Sequence, residues 1–147
     1  MEILTLKRKD YKDVMRLEAA YLDCPWSKKN ILAAIDDERY VMLKAVENGK
    51  LIGYAGVAWC LDEGNICNIV VDEAYRRRGV ALALVNALIV RAREQNIVNL
   101  FLEVNENNTA AQALYEKAGF RAIMKRPHYY GSDAAFVYKF SISGGEE

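Results

Sequence analysis

A run of three arginines and a glycine follows an apolar stretch near the middle of the chain. The apolar stretch ends with Ile69, Val70 and Val71, the basic segment is Arg76-Arg77-Arg78-Gly79, and a long apolar helix pattern begins at Val80. Glycine allows a tight turn and a close approach of the main chain to a ligand, and a helix N-terminus presents N–H groups and positive dipole charge. This arrangement is typical of a phosphate-binding site. A basic surface turn ahead of a core helix is the alternative.

A carboxylate and a phenol follow, in positions where they could accept and donate protons. Glu103 lies near the end of an apolar strand pattern, where α/β folds open their clefts. A carboxylate among apolar residues is costly unless it is solvated, paired or used in chemistry. Glu103 is therefore either a catalytic base or a rim residue paired with an arginine. Tyr115 lies on the next predicted helix, where the pattern alone favours core packing over a role as an acid.

The signals for helices, strands and turns predict the order β-α-α-β-β-β-α-β-α-β-β. Asp10 and Ser27 are predicted N-caps, Thr109–Gln112 fits a capping box, and Gly119 ends the last helix. Asn48-Gly49 between two apolar runs predicts a tight hairpin. We therefore expect an α/β (α+β) fold in which about four helices flank a mixed, mostly antiparallel sheet, with a right-handed β-α-β crossover.

The predicted elements form a single domain over residues 1–142, followed by a frayed tail at 143–147. Cys67 falls inside an apolar strand pattern and is expected in the core. His128 follows Pro127 in a polar segment, so we expect a solvent-facing loop residue there, with catalysis as the weaker alternative.

The composition excludes several classes of protein. A formal net charge of +0 argues against bulk attraction to nucleic acid or to an anionic membrane. The sequence starts without the pattern of a signal peptide. The three cysteines lack metal-ligand spacing, so we expect reduced thiols, no metal site and a cytoplasmic location.

Two motifs carry a family resemblance. The loop lacks the Gly-Lys-Ser/Thr of a triphosphate loop and the Gly-x-Gly-x-x-Gly of a dinucleotide site, but it fits Arg/Gln-x-x-Gly-x-Gly/Ala at Arg76–Ala81. Asn108–Phe120 has the form Asn-x-x-Ala-x-x-Leu-Tyr-x-x-x-Gly-Phe. Together these resemble the GNAT superfamily of acyl-CoA-dependent N-acetyltransferases, and the predicted element order matches that fold along essentially the whole chain.

Shorter segments narrow the resemblance to the ribosomal-protein-alanine N-acetyltransferases. They are Cys24–Ser27, Asn68–Val71, Leu102–Val104 and Lys125–Tyr130. The resemblance implies that Glu103 is the general base and Tyr115 the general acid. It implies acetyl-CoA binding by Ile69, Val70, Val71, Arg76, Arg77, Arg78, Gly79, Val80, Ala81, Leu82 and Asn108.

Three aromatic residues are candidates to line a peptide groove: Trp26, Tyr129 and Tyr130. Packing at the sheet edge is an equally good explanation for Trp26 and a weaker one for the adjacent tyrosines, whose side chains would diverge. The chain also departs from the resembled family, which commonly has a second loop glycine at Ala81, often a basic residue at Leu82 and an arginine at Asn105. The change at Asn105 affects the expected substrate choice more than catalysis.

The predicted reaction is acetyl transfer from acetyl-CoA to the N-terminal α-amine of a protein, and the resemblance suggests the N-terminal alanine of a small-subunit ribosomal protein. The main-chain N–H of Val71 is the expected donor to the developing oxyanion, because the strands should separate there. A small-molecule amine or lysine acetyltransferase on the same fold is one alternative. A non-catalytic acyl-CoA sensor is another.

Overall fold

The computed structural model describes residues 1–22 and 24–142. The predicted frayed tail, residues 143–147, lies outside the described residues. No helix within the described part is long and apolar enough to cross a membrane.

The described residues form seven strands and four α-helices in the predicted order. The strands are β1 (Glu2–Thr5), β2 (Tyr40–Glu47), β3 (Lys50–Cys60), β4 (Glu63–Val71), β5 (Asn99–Asn105), β6 (Arg121–Tyr130) and β7 (Asp133–Ser141). The helices are α1 (Tyr11–Tyr21), α2 (Lys28–Asp36), α3 (Val80–Glu94) and α4 (Thr109–Ala118). Short 3-10 turns at Arg8–Asp10 and Glu73–Tyr75 precede α1 and follow β4.

The strands form one mixed sheet in the order β1-β2-β3-β4-β5-β7-β6. Only the β4–β5 pair is parallel among the described strands, as expected for a β-α-β unit with α3 as its crossover. The predicted fold class is therefore confirmed.

Each face of the sheet is covered by a different pair of helices. On one face, α3 packs Leu84 and Leu88 into a core that also takes Tyr115 and Ala118 from α4. On the other face, α1 and α2 cover a second core, to which they contribute Val14, Leu17, Ile31 and Ala34. The two cores define an α3/α4 face and an α1/α2 face of the sheet.

Most of the predicted turns and caps are present. The Ser27 hydroxyl accepts a hydrogen bond from the Asn30 N–H at 3.2 Å and caps α2. Asn48 and Gly49 have φ of 51° and 75°, as a two-residue hairpin turn requires. Gly119 ends α4 with a φ of 107°. The capping box predicted at Thr109 is wrong, because Asn108 precedes it and its side chain accepts the Ala111 N–H at 3.1 Å.

Asp10 precedes α1 as predicted, but its carboxylate does not cap the helix. It accepts the Lys7 N–H at 2.7 Å and the Lys44 ammonium at 2.8 Å. Asp10 and Lys44 are both buried. A buried pair of this kind is costly to break, because removing one partner leaves the other charge without compensation.

Two local predictions are wrong, one because of a bulge in β4 and one because pairing with β7 extends β6. β4 has one extra residue opposite Gly56 and Val57, and this residue is Cys67, which is exposed rather than part of the core. β6 continues through His128 to Tyr130, where a polar loop was predicted. His128 is solvent-exposed as expected, but it lies in the strand with a φ of 58°, within an irregularity in the β6–β7 pairing.

Candidate active site

A gap between two neighbouring strands forms the centre of the site. Over the described residues, the pairing of β4 with β5 joins only Glu63–Asn65 to Asn99–Phe101. The bulge at Cys67 follows this short ladder directly, and bulges bend a strand and increase its twist. The remaining part of β4, Asn68–Val71, therefore lies along an open edge facing β5.

The main-chain direction along this edge follows from one hydrogen bond. The Asp72 N–H donates to the Ile52 carbonyl of β3 at 2.8 Å. Because successive residues of a strand direct their N–H and C=O groups to opposite sides, the groups of Val71 and Ile69 face the gap. The main chain of Val70 faces β3. This geometry supports the expectation for Val71 and favours Ile69 over Val70 as a second main-chain contact.

The predicted phosphate loop leads from this strand into α3. Gly79 has a φ of 78° and a ψ of 12°, the left-handed conformation that glycine adopts without strain. A Cβ built on Gly79 would meet nothing within 4 Å, so the space beside the main chain is open. A pyrophosphate could approach the main chain through this space.

The start of α3 also fits an anionic ligand. Its N-cap residue, Gly79, provides no side-chain hydrogen bond, whereas Ser27 and Asn108 cap α2 and α4. The first intrahelical bond runs from the Ala83 N–H to the Gly79 carbonyl at 2.9 Å. The N–H groups from Val80 to Leu82 precede that bond and can serve a bound phosphate.

The three arginines of the loop have different surroundings. Arg76 donates from Nε to the Val71 carbonyl at 3.1 Å, and its guanidinium lies 4.5 Å from the ring centre of Tyr21. Arg78 lies 3.6 Å from the Glu47 carboxylate. Arg77 is exposed with a φ of 64°. Arg76 and Arg78 therefore have protein partners that hold the loop, and we expect phosphate to be bound mainly by main-chain N–H groups.

Glu103 lies on β5 across the gap. The alternate residues Leu100, Leu102 and Val104 are buried in the core on the α3/α4 face. By strand alternation, the Glu103 side chain lies on the α1/α2 face. Within residues 1–22 and 24–142, no ion pair or side-chain hydrogen bond involves its carboxylate, so the alternative of a rim pair with arginine finds no support.

Tyr115 approaches from the opposite face. Its ring lies 5.9 Å from that of Phe120 and 6.3 Å from that of Tyr138, so much of the residue packs in the core, as its pattern suggested. Burial raises the pKa of Tyr115 to about 12, and the nearby Tyr130 phenol adds to the shift. The phenol therefore stays protonated throughout the physiological pH range.

Tyr130 lies near both candidate catalytic groups. Burial raises the pKa of Tyr130, and the neighbouring Tyr129 phenol and Glu103 carboxylate raise it further. Its ring packs edge-to-face on Tyr129 with 4.8 Å between ring centres, so the two side chains converge rather than diverge. The irregular pairing between Arg126 and Tyr130 breaks the strand alternation that would separate them.

Other candidate residues have structural partners. Trp26 packs edge-to-face on Tyr40 at 6.5 Å and lines a pocket of about 340 Å³ between α2 and β2. Asn105 donates to the Asp133 carboxylate at 3.2 Å and accepts the Asn107 N–H at 2.9 Å. The residue that departs from the family pattern therefore shapes the loop after β5.

Sequence reasoning missed a buried carboxylate, Glu18, which accepts hydrogen bonds from the Trp26 N–H and the Tyr54 hydroxyl. A signal existed, because Glu18 shares the apolar face of α1 with Val14 and Leu17. In the described part of the chain, no group of three or more His, Cys, Asp or Glu residues could hold a metal ion.

Comparisons with known proteins identify the family of this chain. Residues 3–120 match the acetyltransferase (GNAT) family. The chain is 34% identical over 145 residues to the ribosomal protein bS18-alanine N-acetyltransferase of Escherichia coli K12, covering 96% of this chain and 97% of that protein.

Solved structures show the same likeness. The crystal structure of the Escherichia coli ribosomal-protein-S18-alanine N-acetyltransferase superposes with a TM-score of 0.88 at 33% identity, covering 99% of this chain and 96% of that chain. Ard1 from Thermoplasma volcanium gives a TM-score of 0.83 at 28% identity, covering 95% of this chain and 96% of that one. The chain belongs to the acetyltransferase (GNAT) family and is an acetyl-CoA-dependent N-acetyltransferase.

Proposed function

We propose that the enzyme acetylates the N-terminal α-amine of a protein, and that its acceptor is a small-subunit ribosomal protein that begins with alanine. The observation that carries this proposal is the position of two side chains on opposite faces of the sheet: Glu103 lies on β5 beyond the end of its pairing with β4, and Tyr115 packs on Tyr138, the partner of Leu102 in β5. The name of the Escherichia coli relative supports the choice of acceptor. Such a substrate implies a cytoplasmic enzyme.

The proposed reaction uses the two faces separately. The acceptor amine enters from the α1/α2 face, gives a proton to Glu103 directly or through water, and attacks the thioester carbonyl carbon. The Val71 N–H donates to the carbonyl oxygen as negative charge develops. The new C–N bond forms, the C–S bond breaks, and Tyr115 protonates the leaving thiolate from the α3/α4 face. The nitrogen loses its second proton to solvent as the amide forms, and solvent returns a proton to the Tyr115 phenolate.

The raised pKa of Tyr115 changes the cost of the last step but does not prevent it. Proton transfer from a phenol of pKa about 12 to a thiolate whose acid has a pKa of about 8.5 is uphill by about 5 kcal/mol. An ordinary phenol of pKa about 10 would need about 2 kcal/mol. Both are well below the barrier of about 16 kcal/mol that corresponds to a turnover of about 10 s⁻¹.

The basicity of the acceptor favours an α-amine. Deprotonating an α-amine at pH 7 costs about 1 kcal/mol, whereas deprotonating lysine costs about 4.6 kcal/mol. A single carboxylate that lacks an ion-pair partner among the described residues suits the easier task. Acetylation of lysine or of a small-molecule amine remains the rival proposal. The second rival, a non-catalytic acyl-CoA sensor, predicts no CoA release with any acceptor.

Gly79→Val should weaken acetyl-CoA binding strongly, because its side chain would fill the open space where the main chain approaches phosphate. Arg77→Ala should weaken acetyl-CoA binding less, since main-chain groups are expected to provide most of the contacts with the pyrophosphate. Gly131→Val is the matched control, because Gly131 also has a positive φ, 69°, and open space around a built Cβ. Isothermal titration calorimetry measures all three. Equal affinities for Gly79→Val and the control would contradict the loop assignment.

Glu103→Gln should lower kcat/KM at pH 7 by about 10²- to 10⁴-fold, the usual loss with a general base. The defect should shrink as pH rises above the α-amine pKa of about 8, since the acceptor then needs less deprotonation. Glu106→Gln is the control, because the Glu106 carboxylate already accepts the Ala134 N–H and binds Lys125. Rates of CoA release across pH give the comparison, and a Glu103→Gln enzyme with a wild-type rate at pH 7 would exclude the base assignment.

A peptide beginning with alanine should outcompete the same peptide with a blocked N-terminus and an internal lysine. Tyr130→Ala should raise the KM for the alanine peptide and leave acetyl-CoA affinity nearly intact, because Tyr130 lies at the β6–β7 turn on the β5 side of the gap, away from the loop before α3. Mass spectrometry of a peptide panel, with a free polyamine included, identifies the acceptor. Turnover of the blocked peptide or the polyamine, with none of the alanine peptide, would favour the rival proposal.

A further inference from the structure

The carboxylate of Glu18 is fully buried, with 0% of the residue exposed, and the reaction above does not use it. One oxygen accepts the Trp26 N–H at 2.5 Å, and the other accepts the Tyr54 hydroxyl. The Tyr54 oxygen in turn receives the Asn68 side-chain amide at 3.4 Å. Four segments of the chain therefore meet at one buried charge: α1, the loop Cys24–Ser27, β3 and β4.

A buried carboxylate is expensive even when it is hydrogen-bonded, and an apolar residue at this helical position would pack without that cost. Burial and the hydrogen bond to Glu18 raise the pKa of the Tyr54 phenol, which keeps its proton available for Glu18. The network therefore fixes the main chain at Trp26.

The place of the network in the sheet connects it to the active site. Tyr54 is the register partner of Val70, which lies between the two residues whose main chains face the gap. Tyr54 and Val70 belong to the core on the α1/α2 face, the face that Glu103 shares by strand alternation. The loop Cys24–Ser27 is thus tied to the β4 side of the gap. Tyr130 lies on the β5 side, because it pairs with Asp133, whose carboxylate accepts a hydrogen bond from Asn105 of β5.

We propose that Glu18 is a positioning residue that holds the Cys24–Ser27 loop as one wall of the acceptor site, opposite Tyr130. An acceptor chain would pass between these walls to bring its N-terminal amine to Glu103. This inference rests on the proposed peptide acceptor, because a small amine would need no second wall.

Glu18→Gln tests the proposal with little change in shape. The glutamine oxygen can accept the Trp26 N–H, but its amide nitrogen can only donate, so the Tyr54 hydroxyl loses its acceptor. We expect the KM for the alanine peptide to rise about tenfold, as for loss of a hydrogen bond to a charged group, with kcat and the Kd for acetyl-CoA changed less than twofold. Tyr54→Phe removes the same bond from its other end, so it should give a similar rise, and the double variant should be no worse than either single one.

Asp10→Asn is the matched control for stability. Asp10 is also buried before α1 and accepts one main-chain N–H and one side-chain donor, but its partners are Lys7 and Lys44. We expect this variant to lower Tm and leave the peptide KM unchanged. Melting curves and steady-state kinetics on the full chain provide both readouts.

The outcomes distinguish failure of the positioning role of Glu18 from failure of the proposed function. An unchanged peptide KM in Glu18→Gln and Tyr54→Phe, or a KM that also rises in Asp10→Asn in line with Tm, would overturn the positioning role. If Glu18→Gln does not fold, Tyr54→Phe alone decides by the same criterion. A wild-type enzyme that ignores the alanine peptide and acetylates a polyamine would instead remove the proposed function, and this inference with it.

Discussion

The site depends on one constraint, which is that main-chain N–H and C=O groups need partners, and the last residues of β4 have no described strand paired with them on the β5 side. The pairing with β5 ends at Asn65, and the bulge at Cys67 follows at once. Ile69 and Val71 then direct their groups into a gap, where an extended polar ligand can satisfy them.

The two helical layers give the two sides of the gap different chemistry. On the α3/α4 face, α3 has an N-terminus without a side-chain cap, and burial in the core around Phe120 and Tyr138 raises the pKa of Tyr115. On the α1/α2 face, Glu103 stands without an ion-pair partner among the described residues, while Glu18 lies buried among hydrogen-bond donors. An acid on one face and a base on the other suit a reaction whose leaving group and nucleophile lie on opposite sides of the carbonyl.

Local signals predicted the element order, because each is decided by a few neighbouring residues. Asn48-Gly49 and Gly119 need positive φ, and Ser27 needs only the N–H three residues on. The apolar strand pattern made Glu103 a candidate base and left a paired rim residue as the alternative, so its catalytic role stays a prediction. The sequence did not predict the bulge at Cys67, which depends on the register between two strands.

The features that the sequence did not predict depend on contacts between residues far apart in the chain. The length of β6 depends on its pairing with β7. Glu18 was missed because its partners, Trp26 and Tyr54, come from different elements. The raised pKa of Tyr115 likewise depends on packing that joins α4 to β7.

Amide hydrogen exchange along β4, measured by NMR with and without saturating acetyl-CoA, tests the open edge most directly. In the free enzyme the amides of Ile69 and Val71 should exchange rapidly, while those of Val70 and Asp72, which face β3, should be protected. Acetyl-CoA should slow exchange at Ile69 and Val71 and leave the other two unchanged. A Val71 amide that is already protected in the free enzyme, or that acetyl-CoA does not protect, would contradict the account.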